Sequence, residues 1–198
     1  VGTYTGDGGT SATIKHGLSA APEMIWVKNR SQGDEWVVGT EHNGFASPWN
    51  YYAHLDTTGN FAAATNIWND TAPTSSVFTV GTSDRVNASS EDYVFYAFRS
   101  VPGVCKVGSY VGNFSHDGPY ISLGFKPSYF MLKEVTTSGS WYIYDFRRSP
   151  FNSTNAAYFY ADSHGAEAVG ADNEVDFLSD AAKIRGQNNG SNQSGSTF

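Results

Sequence analysis

Val1-Gly2-Thr3-Tyr4-Thr5-Gly6-Asp7 returns 106 residues later as Val107-Gly108-Ser109-Tyr110-Val111-Gly112-Asn113. Such a return is the mark of a chain assembled from copies of one unit. Working outward, Met24-Ile25-Trp26-Val27-Lys28 aligns with Tyr129-Phe130-Met131-Leu132-Lys133, and Trp36 aligns with Trp141. Tyr52 and Asp56-Thr57-Thr58-Gly59 match Tyr158 and Asp162-Ser163-His164-Gly165, while Gly81 matches Gly186 and Asn87 matches Asn192. The spacing drifts by one residue between these pairs, so insertions belong in loops and the order of elements is kept. The expected organisation is two homologous tandem repeats, residues 1–106 and 107–198.

Period-two alternation recurs along both halves and helical spacing does not. Glu23–Lys28 and Glu35–Val38 read as two strands of a hairpin around a polar turn at Asn29–Asp34. Tyr51–Leu55, Val77–Val80 and Tyr93–Phe98 read as further strands. The last is apolar on both faces, which predicts a central strand covered on both sides. Short helical turns are conceivable only at Ser19–Ala21 and Ala166–Val169. The fold class expected is therefore all-β, a jelly-roll-like β-sandwich, with Trp26, Trp36, Phe95, Phe130, Leu132 and Trp141 in the core. The second repeat stops at Phe198, where the strand equivalent to Tyr93–Phe98 should begin. An excerpt of a longer polypeptide, or a strand from a neighbouring subunit, is the expectation that follows, because unpaired sheet edges expose backbone donors and acceptors.

Composition narrows the function. Only 16% of the 198 residues are charged, and solubility rests on 53 Ser, Thr and Asn residues set among 30 aromatics. Nineteen acidic against twelve basic side chains give a net charge of −7, which lacks the cations that phosphate backbones require. Nucleic acid is thus not an expected partner. No apolar run reaches the roughly 18–20 residues of a membrane helix, so membrane insertion is not expected either. One cysteine, Cys105, excludes an intrachain disulfide framework.

Residues 108–113, the Gly-Phe-Lys-Pro at 124–127 with its strand ending in Lys133, and Trp141-Tyr142-Ile143-Tyr144-Asp145 together resemble a repeated domain of tail-fibre-like structural proteins in marine and cyanobacterial phages. The likeness extends to Ala72–Phe78 and Asp176–Ser179. It implies a virion or extracellular location and a role in a fibre or appendage, assembled as a homo-oligomer, a trimer by resemblance, with other virion proteins. It implies attachment to a host surface through glycan or protein contacts and carries no catalytic residues. The alternatives are capsid decoration, or another non-adhesive assembly role, and a cell-surface or secreted carbohydrate-binding module.

The residues themselves point the same way. His16, His42, His54, His116 and His164 lack metal-ligand spacing, and neither a Gly-x-Ser-x-Gly elbow nor a phosphate-cradling loop is present. No enzymatic activity and no cofactor are expected. Aromatic rings beside amide or imidazole groups suit the apolar faces and hydroxyl rims of sugars. His42, Trp49, Tyr51 and Tyr52 are accordingly the candidate ligand-binding residues. Their counterpart, Phe146–Asn152, is more basic and less aromatic. Asp172, Glu174 and Asp176 alternate and would share one face of a strand, a candidate Ca²⁺ site, against the plainer reading of a solvated face. A glycan hydrolase would need two facing carboxylates, and Asp172 and Asp176 are the candidates for that role. Asp56 and Asp162 read as turn caps.

Overall fold

The computed structural model describes residues 1–148, 152, 156–170 and 172–198. It is all-β and sandwich-like, with fifteen strands among the described residues and only short helical pieces. The chain divides into two compact units. Unit 1 comprises Val1–Asp56 and Phe61–Ser100, and unit 2 comprises Thr57–Asn60 and Val101–Phe198.

The main sheet of unit 1 runs in the order β1 (Gly2–Thr5), β8 (Asp92–Phe98), β3 (Met24–Asn29), β4 (Val37–Thr40), β5 (Tyr51–His54), β6 (Ala62–Ala63). A second layer pairs β2 (Ala12–Lys15) with β7 (Val77–Val80), and three one-turn helices, a 3-10 turn at Pro48–Asn50 and the α-helical turns α1 (Thr65–Trp68) and α2 (Asp84–Asn87), complete the unit. Strand alternation makes the core. Ile25 and Val27 of β3, Val37 of β4 and Tyr93 and Phe95 of β8 pack with Ala12, Phe78 and Val80 of the second layer and with Ile67 and Trp68 of α1. Each such side chain stabilises by about 1.5–3 kcal/mol when fully buried.

Unit 2 has a four-stranded sheet, β10 (Tyr129–Leu132), β11 (Tyr142–Asp145), β12 (Ala156–Tyr160), β13 (Ala168–Gly170). A three-stranded sheet, β14 (Val175–Phe177), β15 (Ala181–Ile184), β9 (Tyr120–Ser122), and helix α3 (Asn189–Asn192) accompany it. Leu132, Tyr144 and Tyr158 of the first sheet meet Val175, Phe177 and Ile184 of the second, with Phe198 among them.

Matching positions make matching bonds. The Tyr4 hydroxyl donates to the Val86 carbonyl at 2.6 Å, and the Tyr110 hydroxyl donates to the Ser191 carbonyl at 2.6 Å. The Trp36 N–H donates to Asp56 at 3.1 Å and the Trp141 N–H to Asp162 at 2.6 Å, so each aspartate bonds to a residue far back in the chain, while Thr57 and Ser163 accept from the glycine N–H of the turns the aspartates were expected to cap. Asn87 accepts from the Asp7 N–H at 3.1 Å and Asn192 from the Asn113 N–H at 2.9 Å. A Cβ on Gly6 would lie 2.1 Å from the Ala88 carbonyl oxygen, and one on Gly112 2.2 Å from that of Gln193. At both places the chains approach too closely for any side chain.

Several expectations need correction. Helical turns fall at α1, α2 and α3, whereas 19–21 form no helix and Ala168–Gly170 is strand β13. Phe95, Leu132 and Trp141 are buried, but Trp26, Trp36 and Phe130 are only half-buried. In β3 the pleat turns Trp26 away from Ile25 and Val27 onto the opposite face, where its ring lies 4.8 Å from Phe98, while Trp36 lies 6.0 Å from Tyr96. Strand β8 is central as expected, yet its second face is partly open, with Tyr96 39% exposed. Phe130 sits in β10, the terminal strand of its sheet.

Candidate functional site

The loop after Val111 is where unit 2 departs from unit 1. Gly8 of unit 1 has φ +67 and donates its N–H to the Asn87 carbonyl at 3.0 Å. The equivalent residue of unit 2 is Phe114, with φ +52, whose N–H donates to the Asn192 carbonyl at 2.8 Å. The left-handed region suits glycine and penalises a residue with a Cβ, by roughly 1–2 kcal/mol. The fold thus carries an aromatic residue where its other unit carries glycine, and that residue is 43% exposed.

Buried asparagine anchors this turn. Asn192, at the end of α3, accepts from the Asn113 N–H, and its amide donates to the carbonyls of Ser115 at 3.0 Å and Gly186 at 2.8 Å. The Asn113 side chain accepts from the Ser115 N–H at 3.1 Å and donates to the Asp117 carbonyl at 3.1 Å, tying the loop to itself. Further polar contacts fix the loop that carries Phe114. The Gln187 amide donates to the Phe114 carbonyl at 3.1 Å, a His116 ring nitrogen lies 3.0 Å from the Arg185 carbonyl, and Lys183 donates to Asp117 at 2.6 Å. The ion pair with Lys183 holds the Asp117 carboxyl below its ordinary range. Exposed Val111 begins the same loop. An exposed aromatic residue on a turn fixed by polar contacts has the chemistry to meet a sugar face or a protein side chain.

The residues singled out from sequence are differently placed. Trp49 is 5% exposed and packs edge-on against Trp68 at 5.7 Å, so it belongs to the core of unit 1 rather than to a binding face. The one-turn helix at Pro48–Asn50 turns its ring inward. Tyr51 is half-buried and stacks on Phe45 at 3.8 Å, and Tyr52 packs partly against the core with His54 at its edge, 5.2 Å away. Of the counterpart stretch, 149–151 lie outside the described residues.

His42 has different company from that expected. It follows β4 and lies with Glu41 and Glu23 so that one donor atom from each falls within 4.8 Å of the others. Hairpin register brings them together: the Glu41 N–H donates to the Glu23 carbonyl at 3.0 Å, and the Thr40 hydroxyl donates to the same carbonyl at 3.0 Å. Two carboxylates and an imidazole suit a zinc-like ion better than Ca²⁺, which takes six to eight oxygens. Glu23 is also held structurally, accepting from the Ser100 N–H at 2.7 Å and its hydroxyl at 2.5 Å.

Among the described residues no other group of three has metal-ligand spacing, so Asp172, Glu174 and Asp176 do not converge as a Ca²⁺ site. The shared strand on which that reading depended begins only at Val175, with Asp172 in the preceding turn. Asp176 instead lies 3.7 Å from Arg185. Burial, then the charges of Asp176 and Asp172, push the Glu174 carboxyl up.

Fold and loop together define an all-β, two-unit domain with an exposed aromatic turn. The chain belongs to the family described as a domain of unknown function, DUF7483, whose model matches residues 1–198. Neither the curated proteins nor the solved structures gave a match. No helix among the described residues is long and apolar enough to cross a membrane.

Proposed function

We propose that this chain is a non-enzymatic contact module of a virion fibre or appendage, which meets a host-surface glycan through the Phe114 turn. The observation that supports this reading is Phe114 itself, an exposed ring kept on left-handed backbone where the equivalent residue of unit 1 is glycine. Strain retained at a surface position is explained by what the side chain contacts, because folding alone favours glycine there. Side chains that could carry chemistry elsewhere, such as Asp56, Asp162, Asn87 and Asn192, are engaged in backbone capping. An extracellular, oligomeric setting follows from the likeness to tail-fibre-like proteins and suits a surface poor in charge.

A printed glycan array probed with the purified protein and with Phe114→Ala tests the reading. Binding to a discrete set of glycans, lost in the variant while the circular dichroism spectrum is kept, is the expected result. Binding that survives Phe114→Ala, or no glycan binding by the parent chain, would overturn it. Release of shortened saccharides from any bound glycan would replace it with an enzymatic reading.

A further inference from the structure

The β3–β4 hairpin closes on a corner that the chain builds twice. In unit 1 Met24 pairs with Thr40, and just beyond them the Glu41 N–H donates to the Glu23 carbonyl at 3.0 Å. In unit 2 Tyr129 pairs with Asp145, and the Phe146 N–H donates to the Ser128 carbonyl at 2.9 Å. The backbone is the same and the side chains are not. Ser128, Phe146 and Arg147 stand in unit 2 where unit 1 carries Glu23, Glu41 and His42. Forming this corner therefore requires none of those three groups, and their convergence in unit 1 needs a separate reason.

The convergence is close. One donor atom from each residue lies within 4.8 Å of the other two, and His42 Nε2 lies 3.4 Å from Glu41 Oε1. That nitrogen is shut off from solvent and makes no hydrogen bond among the described residues. A buried polar atom normally has a partner, and a metal ion is one that an imidazole nitrogen takes readily. Among the described residues no Lys or Arg pairs with either carboxylate, so their two charges lack a cationic counterpart. Two carboxylates and a neutral imidazole balance the charge of one divalent ion.

We propose that Glu23, Glu41 and His42 bind one Zn²⁺ ion at this corner. Zinc takes nitrogen and oxygen donors at about 2.0–2.2 Å in a tetrahedron, which sets neighbouring donors roughly 3.3–3.6 Å apart. Glu41 and His42 already stand at that spacing, and side-chain rotation brings in the third donor. Ca²⁺ asks for six to eight oxygens, more than two carboxylates supply. Neighbouring groups orient the ligands: Glu23 Oε2 accepts from the Ser100 N–H at 2.7 Å and its hydroxyl at 2.5 Å, and the Thr40 hydroxyl accepts from the His42 N–H at 3.2 Å. Glu41 is exposed, so the fourth position of the ion is left to water. The site lies in unit 1 and stands apart from whatever Phe114 contacts.

Isothermal titration of the tag-free, EDTA-treated chain with zinc chloride tests the inference, with calcium chloride as the comparison ion. One equivalent of Zn²⁺ should bind saturably and at least tenfold more tightly than Ca²⁺. Glu41→Gln and His42→Gln should each weaken Zn²⁺ binding by roughly tenfold or more, and His164→Gln should leave it unchanged. In EDTA both ligand variants should keep the parental unfolding curve, and should one of them fail to fold the other carries the comparison. Glu23→Gln is a poorer probe, because Ser100 depends on that carboxylate. Zn²⁺ should also raise the Tm of the parent and not that of the ligand variants. No saturable Zn²⁺ binding, Ca²⁺ bound as tightly, or binding unchanged in the ligand variants would overturn the inference. Binding lost equally in His164→Gln would overturn it too, by placing the ion elsewhere.

Discussion

Replacing Phe114 separately by glycine and by alanine isolates the backbone strain at that residue. Both changes delete the ring, so its partial burial cancels between them. At an ordinary position with negative φ, glycine is less stable than alanine by about 0.5–1 kcal/mol, because it loses more freedom on folding. With φ at +52 the order should invert, since alanine keeps the Cβ penalty of roughly 1–2 kcal/mol and glycine sheds it. The net expectation is that Phe114→Gly exceeds Phe114→Ala by about 1 kcal/mol, or about 2–4 °C in Tm for a chain of this size. Urea unfolding at matched slope measures the difference, and amide exchange confined to unit 2 assigns it to this unit. The mirror experiment is Gly8→Ala, where the added Cβ meets left-handed backbone and stands 3.0 Å from the Ser89 Cβ, so destabilisation of about 1–2 kcal/mol is expected. An alanine variant at 114 as stable as the glycine variant would falsify the claim that the turn stores strain. With it would go the main support for a contact role.

Asn192→Ala should destabilise by roughly 1–3 kcal/mol in urea unfolding, because it leaves the Asn113 N–H and two carbonyls without their partner, and Asn87→Ala should do the same in unit 1. A change below about 0.5 kcal/mol would deny both residues their anchoring role. Trp49→Ala should cost about 3–5 kcal/mol through the cavity it opens in the core, and a variant of parental stability would mean the ring is not packed there. Burial pushes the Lys133 ammonium down to about 8 against the pull of Glu134 and Asp162. Between pH 8 and 10 Lys133 therefore binds more protons in the unfolded chain than in the folded one, so its own contribution to stability should rise with pH by on the order of 2 kcal/mol, against the opposite contribution of the buried tyrosines, whose hydroxyls burial pushes up. The stability of the parent relative to Lys133→Met should rise by that amount in denaturation curves taken across the window, and a difference independent of pH would refute it.

Much of the fold was legible in the sequence because strand alternation is a local property. Ile25 and Val27 point one way and Trp26 the other by the pleat alone, and the β3–β4 hairpin follows from two apolar runs flanking a polar turn. The recurrence of Asn87 at Asn192, and of Asp56 at Asp162, showed that these residues matter twice. Only the structure showed the shared reason, a backbone N–H to cap in each unit. The candidate site was harder to read. Trp49 looked available because Gly and Pro surround it, but the adjoining helix faces Trp68 and buries it. Phe114 went unread, although its alignment with Gly8 was the signal.

The sequence by itself determined the all-β class and where most strands lie, since alternation and turn residues act over a few neighbours. Tertiary structure decided which aromatic rings face outward and which carboxylates meet His42. Each of those depends on residues far apart in the chain being brought together, and burial is a property of the packed whole that no short stretch of sequence carries.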